Sequence, residues 1–265
     1  MSALGMWDRQ SVRKLGVFLV AAAALFSASM IASAEPDAAA RALFERGDYR
    51  DAAATASAAG GAENEALAAR ALNALAYLQR DDIASRRTAL EALEHAERAI
   101  ADNPGLVDGH LESAIARAER AKRMSPLRIF LGDHQRRARR RFDLALAMQP
   151  DNAWALANSA LWHLTVSRRG GVGRFGADPT AGRERCAAAQ AADPEALVIA
   201  YRCGLQLLAW DDEAWRLEAI EAVSAAATGE AASAFERAVQ IRARALLTAI
   251  DDGPATERAF IDAHP

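Results

Sequence analysis

An all-α fold is predicted, on three observations. Ala dominates the chain, with Leu, Arg and Glu next and Val and Ile sparse, a mix of strong helix formers and few strand formers. No stretch sustains the period-two alternation of a half-buried strand. Pro and Gly punctuate the apolar segments at regular intervals, as helix stops do.

Taken from the start, residues 1–34 are expected to be a cleavable signal peptide. Arg9, Arg13 and Lys14 form a basic start, Leu15 to Phe26 an apolar run, and Ala32-Ser33-Ala34 a small-x-small cleavage site before Glu35-Pro36. The alternative is an uncleaved anchor, although the run is short for a bilayer span. No Cys near the site suggests lipidation, and Arg13 is followed by Lys14 rather than a second Arg. This address implies a periplasmic protein with no stable membrane insertion after cleavage. The formal charge of the whole chain is −3, and removing Arg9, Arg13 and Lys14 with Asp8 takes it to −5. Such a balance argues against general nucleic-acid binding.

Helices are expected near 37–46, 50–59, 63–79, 84–102, 106–122, 134–148, 153–168, 180–192, 195–209, 213–227, 230–249 and 255–263. Each is amphipathic and needs a neighbour to bury its apolar stripe. The expected core is Leu43, Phe44, Leu72, Leu75, Leu93, Ile100 and Leu111 in the first half. In the second half it is Phe142, Leu146, Leu156, Leu161, Leu197, Leu207 and Phe235.

Three helices end on similar phrases. They are Ala96 to Pro104, Phe142 to Pro150, and Cys186 to Pro194, and each places an Ala (Ala99, Ala145, Ala189) five residues before the Pro. The Pro marks the stop, and the Ala lets another helix come close. Gly47-Asp48-Tyr49 reads as a turn between two helices, with Gly47 in the left-handed conformation that ends the first. Gln149-Pro150-Asp151-Asn152-Ala153-Trp154 reads as a passage from one helix pair to the next. Cys203-Gly204-Leu205 offers a small residue at a crossing point.

This pattern resembles the tetratricopeptide repeat, which pairs antiparallel helices with small residues at their crossings and a Pro after the second helix. The resemblance covers most of residues 37–215 and implies a right-handed superhelix of stacked helix pairs over 35–265, with capping helices after about 229. The spacing departs from the family. Pro104 to Pro150 is 46 residues and Pro150 to Pro194 is 44, against about 34 in the family. The extra residues fall around Lys122–Asp133 and Arg168–Pro179. This long-insert form looks like the divergent tetratricopeptide domain of the regulator of microtubule dynamics family, on the stretch Pro150 to Trp215 with Leu161-Trp162-His163-Leu164. An exported protein would meet no microtubules, so that name implies no function here.

In tetratricopeptide stacks the first helix of each pair lines a concave face. Carried onto this chain, the resemblance makes Asp108, Leu111, Trp154, Leu161, Tyr201 and Leu205 groove candidates for a peptide or helix of another protein. Several of these are also plain core candidates.

Other features carry alternatives. Arg136, Arg137, Arg139, Arg140 and Arg141 cannot share one helix face. They offer either an anion-facing patch or a solvated face with some arginines paired to Glu112 or Glu119. Arg117, Arg120, Lys122, Arg123 and Arg128 lie upstream. Cys186 and Cys203, the only cysteines, sit almost symmetrically about Pro194-Glu195 and read either as a disulfide or as two buried thiols. Gly171 to Gly176 matches the G-x-G-x-x-G fingerprint in letters, but no strand precedes it, so a loop between paired helices is the better reading.

The histidines His95, His110, His134, His163 and His264 show no metal-ligand spacing, and no cofactor is expected. No nucleophile elbow or zinc-protease motif is present. Asp81-Asp82, Asp211-Asp212 and Asp251-Asp252 are expected to cap helix N-termini. The expectation is therefore a periplasmic protein-interaction module rather than an enzyme. The alternative is a small-ligand-binding accessory of an envelope transporter, which would carry a closed pocket. A hydrolase using His163 or His110 is a third, weaker reading.

Overall fold

The computed structural model describes residues 35–122 and 133–264. The expected signal peptide, most of the first insert, and Arg123 and Arg128 lie outside the described residues.

The described residues form twelve α-helices and no strand. In chain order these are α1 (Ala38–Arg46), α2 (Tyr49–Ala59), α3 (Ala62–Leu78), α4 (Asp82–Asp102), α5 (Val107–Lys122) and α6 (His134–Met148). They continue as α7 (Ala153–Gly170), α8 (Pro179–Ala192), α9 (Leu197–Leu208), α10 (Glu213–Thr228), α11 (Ala234–Asp251) and α12 (Pro254–Ala263).

Local chemistry sets the ends. Asp37 caps α1 by accepting the Ala40 N–H at 2.8 Å. Gly47 ends α1 at φ 95°, and Asp48 N–H returns to the Leu43 carbonyl at 2.9 Å. A full capping box opens α11, where Ser233 and Glu236 satisfy each other's backbone N–H. Asp81 and Asp212 cap α4 and α10. Asp251-Asp252 departs from expectation. The pair stands at the C-terminal end of α11, and α12 is opened instead by Gly253 at φ 108° and Pro254.

The three Pro phrases give one turn three times. Asn103, Gln149 and Asp193 take φ near −140°, at −140°, −137° and −143°. A following Pro pushes each of them out of the helical region. Their N–H groups return to the carbonyls of Ala99, Ala145 and Ala189, and all three alanines are fully buried. Three residues beyond each, Leu106, Asn152 and Ala196 donate back to the same residue's carbonyl.

Consecutive helices pack on one another throughout. The odd-numbered helices also pack in series, α1 on α3, α3 on α5, α5 on α7, α7 on α9 and α9 on α11. Then α11 returns to α1, so the row closes on itself. Phe235, near the start of α11, packs against the first and last core clusters alike, with its ring 6.5 Å from Tyr49 and 5.8 Å from Tyr77. The segment after Gly229, expected only to cap, buries Val239, Ala243 and Leu246 completely. Cys186 of α8 and Cys203 of α9 are joined in a disulfide, with Cα atoms 5.7 Å apart.

Candidate functional site

The closed row of odd helices surrounds an interior space with two chambers. The larger has a volume of about 540 Å³ and is walled by α5, α6, α7 and α9. Its apolar surface comes from Ile115, Phe142, Leu161, Trp162, Val166 and Leu205. The smaller, of about 220 Å³, touches all six odd helices, through Phe44, Tyr77, Leu111, Trp154, Val198 and Phe235. Tyr77, Ile115, Glu119 and Arg202 line both chambers and so form the partition between them.

The partition is held by polar contacts. Arg202 donates to the Asn158 side-chain carbonyl at 3.0 Å, stands 3.7 Å from the Glu119 carboxylate, and lies 5.1 Å from the Tyr77 ring centre. Arg242 of α11 also lies over that ring, 4.8 Å from its centre. Thr165 donates to the Gln206 side-chain carbonyl at 3.2 Å, linking α7 to α9.

Helical geometry explains why these residues meet. Asn158, Leu161, Trp162, Thr165, Val166 and Arg169 recur at three- and four-residue steps, which is one face of α7. The chamber ends at Arg169, Gly170 and Arg174, with Arg169 and Gly170 exposed. Asn158 to Arg169 is three turns of α7, or roughly 16 Å at 1.5 Å per residue.

The groove candidates divide between these chambers. Leu161 and Leu205 line the larger, Leu111 and Trp154 the smaller. Of the four that line a chamber, Trp154 alone keeps substantial exposure, at 37%. Asp108 is instead in an ion pair with Arg70 at 2.9 Å. Tyr201 is completely buried and lines neither chamber. Burial pushes its hydroxyl pKa well up, and the hydroxyl has no hydrogen-bond partner. The reason is that α9 is packed on by α7, α8, α10 and α11, and Tyr201 falls within the core cluster they form rather than on the face of α9 that lines the chambers.

The arginine run is dispersed over separate contacts rather than forming one patch. Arg137 and Arg140 both reach Asp133, at 3.2 and 3.1 Å. Arg141 turns inward to Glu97 at 3.0 Å, not to Glu112 or Glu119. Arg136 lies over the Phe175 ring at 5.2 Å. Arg139 donates to the carbonyls of Phe175 and Gly176, both at 2.9 Å, and so ties the glycine loop to α6. That loop follows a helix end, and Gly171 and Gly173 take positive φ there. With a helix rather than a strand before it, the loop lacks the strand–turn–helix setting on which a dinucleotide fingerprint depends.

Several residues of the site were missed at the sequence level. Tyr77, Glu119, Asn158 and Arg202 occur on four different helices, and only the closing of the row brings them together. A hint was available in α7, whose inner-face positions carry Asn158 and Thr165 among apolar residues. His163 lies outside the chambers and is held by neighbours. Its Nδ1 accepts from Asp178 N–H at 3.0 Å, and Arg185 contacts both its Nε2 and Ser159 Oγ. Burial, with Arg185 and Arg139 nearby, lowers its pKa to about 4. Among the described residues no cluster of three or more His, Cys, Asp or Glu side chains is placed to hold a metal, and no helix is long and apolar enough to cross a membrane.

No protein-family model matches the chain, and comparison with curated proteins gives no significant match.

Proposed function

We propose that the chain is an exported binding protein, built as a tetratricopeptide-like stack, that holds a small ligand in the larger interior chamber. The observation carrying this reading is the recess of about 540 Å³ with apolar walls and a few fixed polar groups. Ligand sites are typically of this size and make-up. Closure of the helix row by α11 favours an enclosed ligand over a long peptide laid along an open groove. Export is supported by the composition of residues 1–34 and by the Cys186–Cys203 disulfide, since disulfides persist in oxidising compartments.

The test is a thermal-shift screen with a metabolite panel on the parent and on Leu161→Trp, which narrows the chamber. A ligand that raises the parent's Tm and not that of the folded variant supports the reading. A panel that shifts both alike, or neither, counts against it.

A second reading has one specific observation in its favour. Trp154 stands half-exposed at the smaller chamber, and such a Trp beside an apolar recess suits a protein contact. Here the occupant is a segment of an envelope protein. Affinity capture from periplasmic extract with the parent and Trp154→Ala tests it, and loss of a captured protein with the variant is the outcome expected. Tyr201 does not belong in that experiment, because its truncation would open the core.

A further inference from the structure

One polar group of the larger chamber is both buried and open-handed. Gln206 of α9 is 6% exposed and lines that chamber. Its side-chain carbonyl accepts from Thr165 at 3.2 Å, and its amide nitrogen has no acceptor among the described residues. That nitrogen carries two N–H donors. The indole N–H of Trp162, in the same wall, also lacks an acceptor, but it is sealed from water, whereas the Gln206 nitrogen is not. A buried side chain whose nitrogen water can still reach, on a residue lining the chamber, presents that nitrogen to the chamber.

Helical spacing places this amide. Arg202 and Gln206 are one turn apart on α9 and so share its inner face. Arg202 is tied to Asn158 and Gln206 to Thr165, which makes two rungs between α9 and α7. Thr165 to the exposed Arg169 is four residues, or roughly 6 Å at 1.5 Å per residue. The free amide therefore sits one turn inside the exposed end of the chamber, between that end and the partition.

The charged side chains of the chamber are already engaged by the protein. Arg202 is held by Asn158 and Tyr77, with Glu119 at 3.7 Å. Glu119 has a further partner besides. Arg174 lies over the Phe175 ring at 5.0 Å, and Arg169 interacts with the charge of Asp262. His264 is hydrogen-bonded through Nδ1 to the Phe260 carbonyl at 2.8 Å. A ligand thus meets an open neutral donor at Gln206, and no charge that is free to receive a counter-ion.

We propose that the larger chamber takes an uncharged amphiphile, whose carbonyl oxygen accepts from the Gln206 amide and whose acyl or aryl body lies against Ile115, Phe142, Leu161 and Leu205. This rests on the ligand-binding reading above and names its ligand class. An ion would leave water for an apolar wall without gaining a free counter-charge, which costs far more than burying a hydrogen-bonded carbonyl. A pure hydrocarbon would cover the amide N–H and leave it unpaired.

The chain from Glu35 onward, one compact unit, is titrated into four probes and binding is read by ligand-detected NMR. The probes are butyrophenone, butylbenzene, 4-phenylbutanoate and 4-phenylbutylammonium. The first two share a carbon skeleton and differ only by a carbonyl in place of a methylene. Butylbenzene leaves water more readily, so the two are compared through a variant rather than directly. In Gln206→Leu the affinity for butyrophenone should fall about fivefold, the size of one net hydrogen bond, with that for butylbenzene unchanged or higher. Both ions should bind the parent about tenfold or more weakly than butyrophenone. Leu161→Trp should weaken butyrophenone and butylbenzene alike. Circular dichroism checks that each variant is folded, and Gln206→Met stands in if the leucine variant is not. An equal effect of Gln206→Leu on butyrophenone and butylbenzene, or either ion binding more tightly than butyrophenone, overturns the proposed class and leaves the chamber as a ligand site. Failure of butyrophenone to bind the parent also overturns it, and the metabolite screen on Leu161→Trp then decides separately whether the chamber binds any ligand.

Discussion

Glu112 shows how much a single side chain depends on distant chain. It is 3% exposed on α5, and Arg70 and Asn73 of α3 reach its carboxylate at 3.1 and 2.9 Å. Burial raises its pKa despite those contacts. Glu112→Ala leaves Arg70 and Asn73 without their shared acceptor, and a loss of about 2–3 kcal/mol in urea denaturation is expected, somewhat below the usual figure for a broken buried pair because Arg70 is half-exposed. His163 provides a pH signature. Its ordinary pKa of 6.5 falls to about 4 in the folded protein. Between those values the unfolded chain binds a proton that the native state refuses, so stability declines as pH drops from 6.5 towards 4. Denaturation midpoints across that window should fall more steeply for the parent than for His163→Gln. Neither residue's role was legible in the sequence, because Arg70 and Arg185 lie 42 and 22 positions away from the groups they meet.

Elements were more legible than side chains. The Pro phrases work through local sterics, since a Pro acts on its own nitrogen and the residue before it. That is why the three turns share one backbone conformation. Gly204 adds a packing constraint. A Cβ built on it would lie 2.7 Å from the Ala219 carbonyl oxygen and from a Val223 methyl, so α9 and α10 approach as only Gly permits. Gly204→Ala gains up to ~1 kcal/mol of helix propensity but forces the helices apart. A net loss of about 1–2 kcal/mol in chemical denaturation is expected, because overpacking outweighs propensity. The departure at Asp251-Asp252 has the same local logic. An Asp pair marks a helix boundary without saying which side the helix lies on, and the Gly253-Pro254 pair decided it.

For the whole molecule, the contact between α11 and α1 is the feature on which the interior depends. Phe235 makes that closure, packed between the first and last clusters with edge-on contacts to Tyr49 and Tyr77. Phe235→Ala is expected to cost about 2–3 kcal/mol, at the low end for a core aromatic because the ring is only partly buried. It should also loosen the N-terminal pair selectively, seen as faster hydrogen exchange in α1 and α2 than in α7 to α9. Equal exchange throughout would mean that the first pair is held by α3 alone. The disulfide acts between α8 and α9. Closing a 17-residue separation contributes ~3 kcal/mol in the chain-entropy model, so reduction with dithiothreitol should lower Tm while leaving the helical circular dichroism signal in place.

Composition, periodicity and punctuation were enough by themselves to determine the helices, the repeated Pro turns, the Gly47 turn and part of the core, with Leu72, Leu93, Leu111, Phe142, Leu161, Leu197 and Leu207 buried as expected and the other expected core residues only partly buried. Each of these is decided within a few residues along the chain, where propensity and sterics operate. Tertiary structure alone decided that α11 closes the row, that Tyr201 is core rather than groove, and that the arginine run scatters onto Asp133, Glu97, Phe175 and Gly176. It also brought Tyr77, Glu119, Asn158 and Arg202 to one partition. The physical reason is that an amphipathic helix announces which face it must bury, but not which neighbour will cover it. That choice rests on the summed packing of elements far apart in sequence.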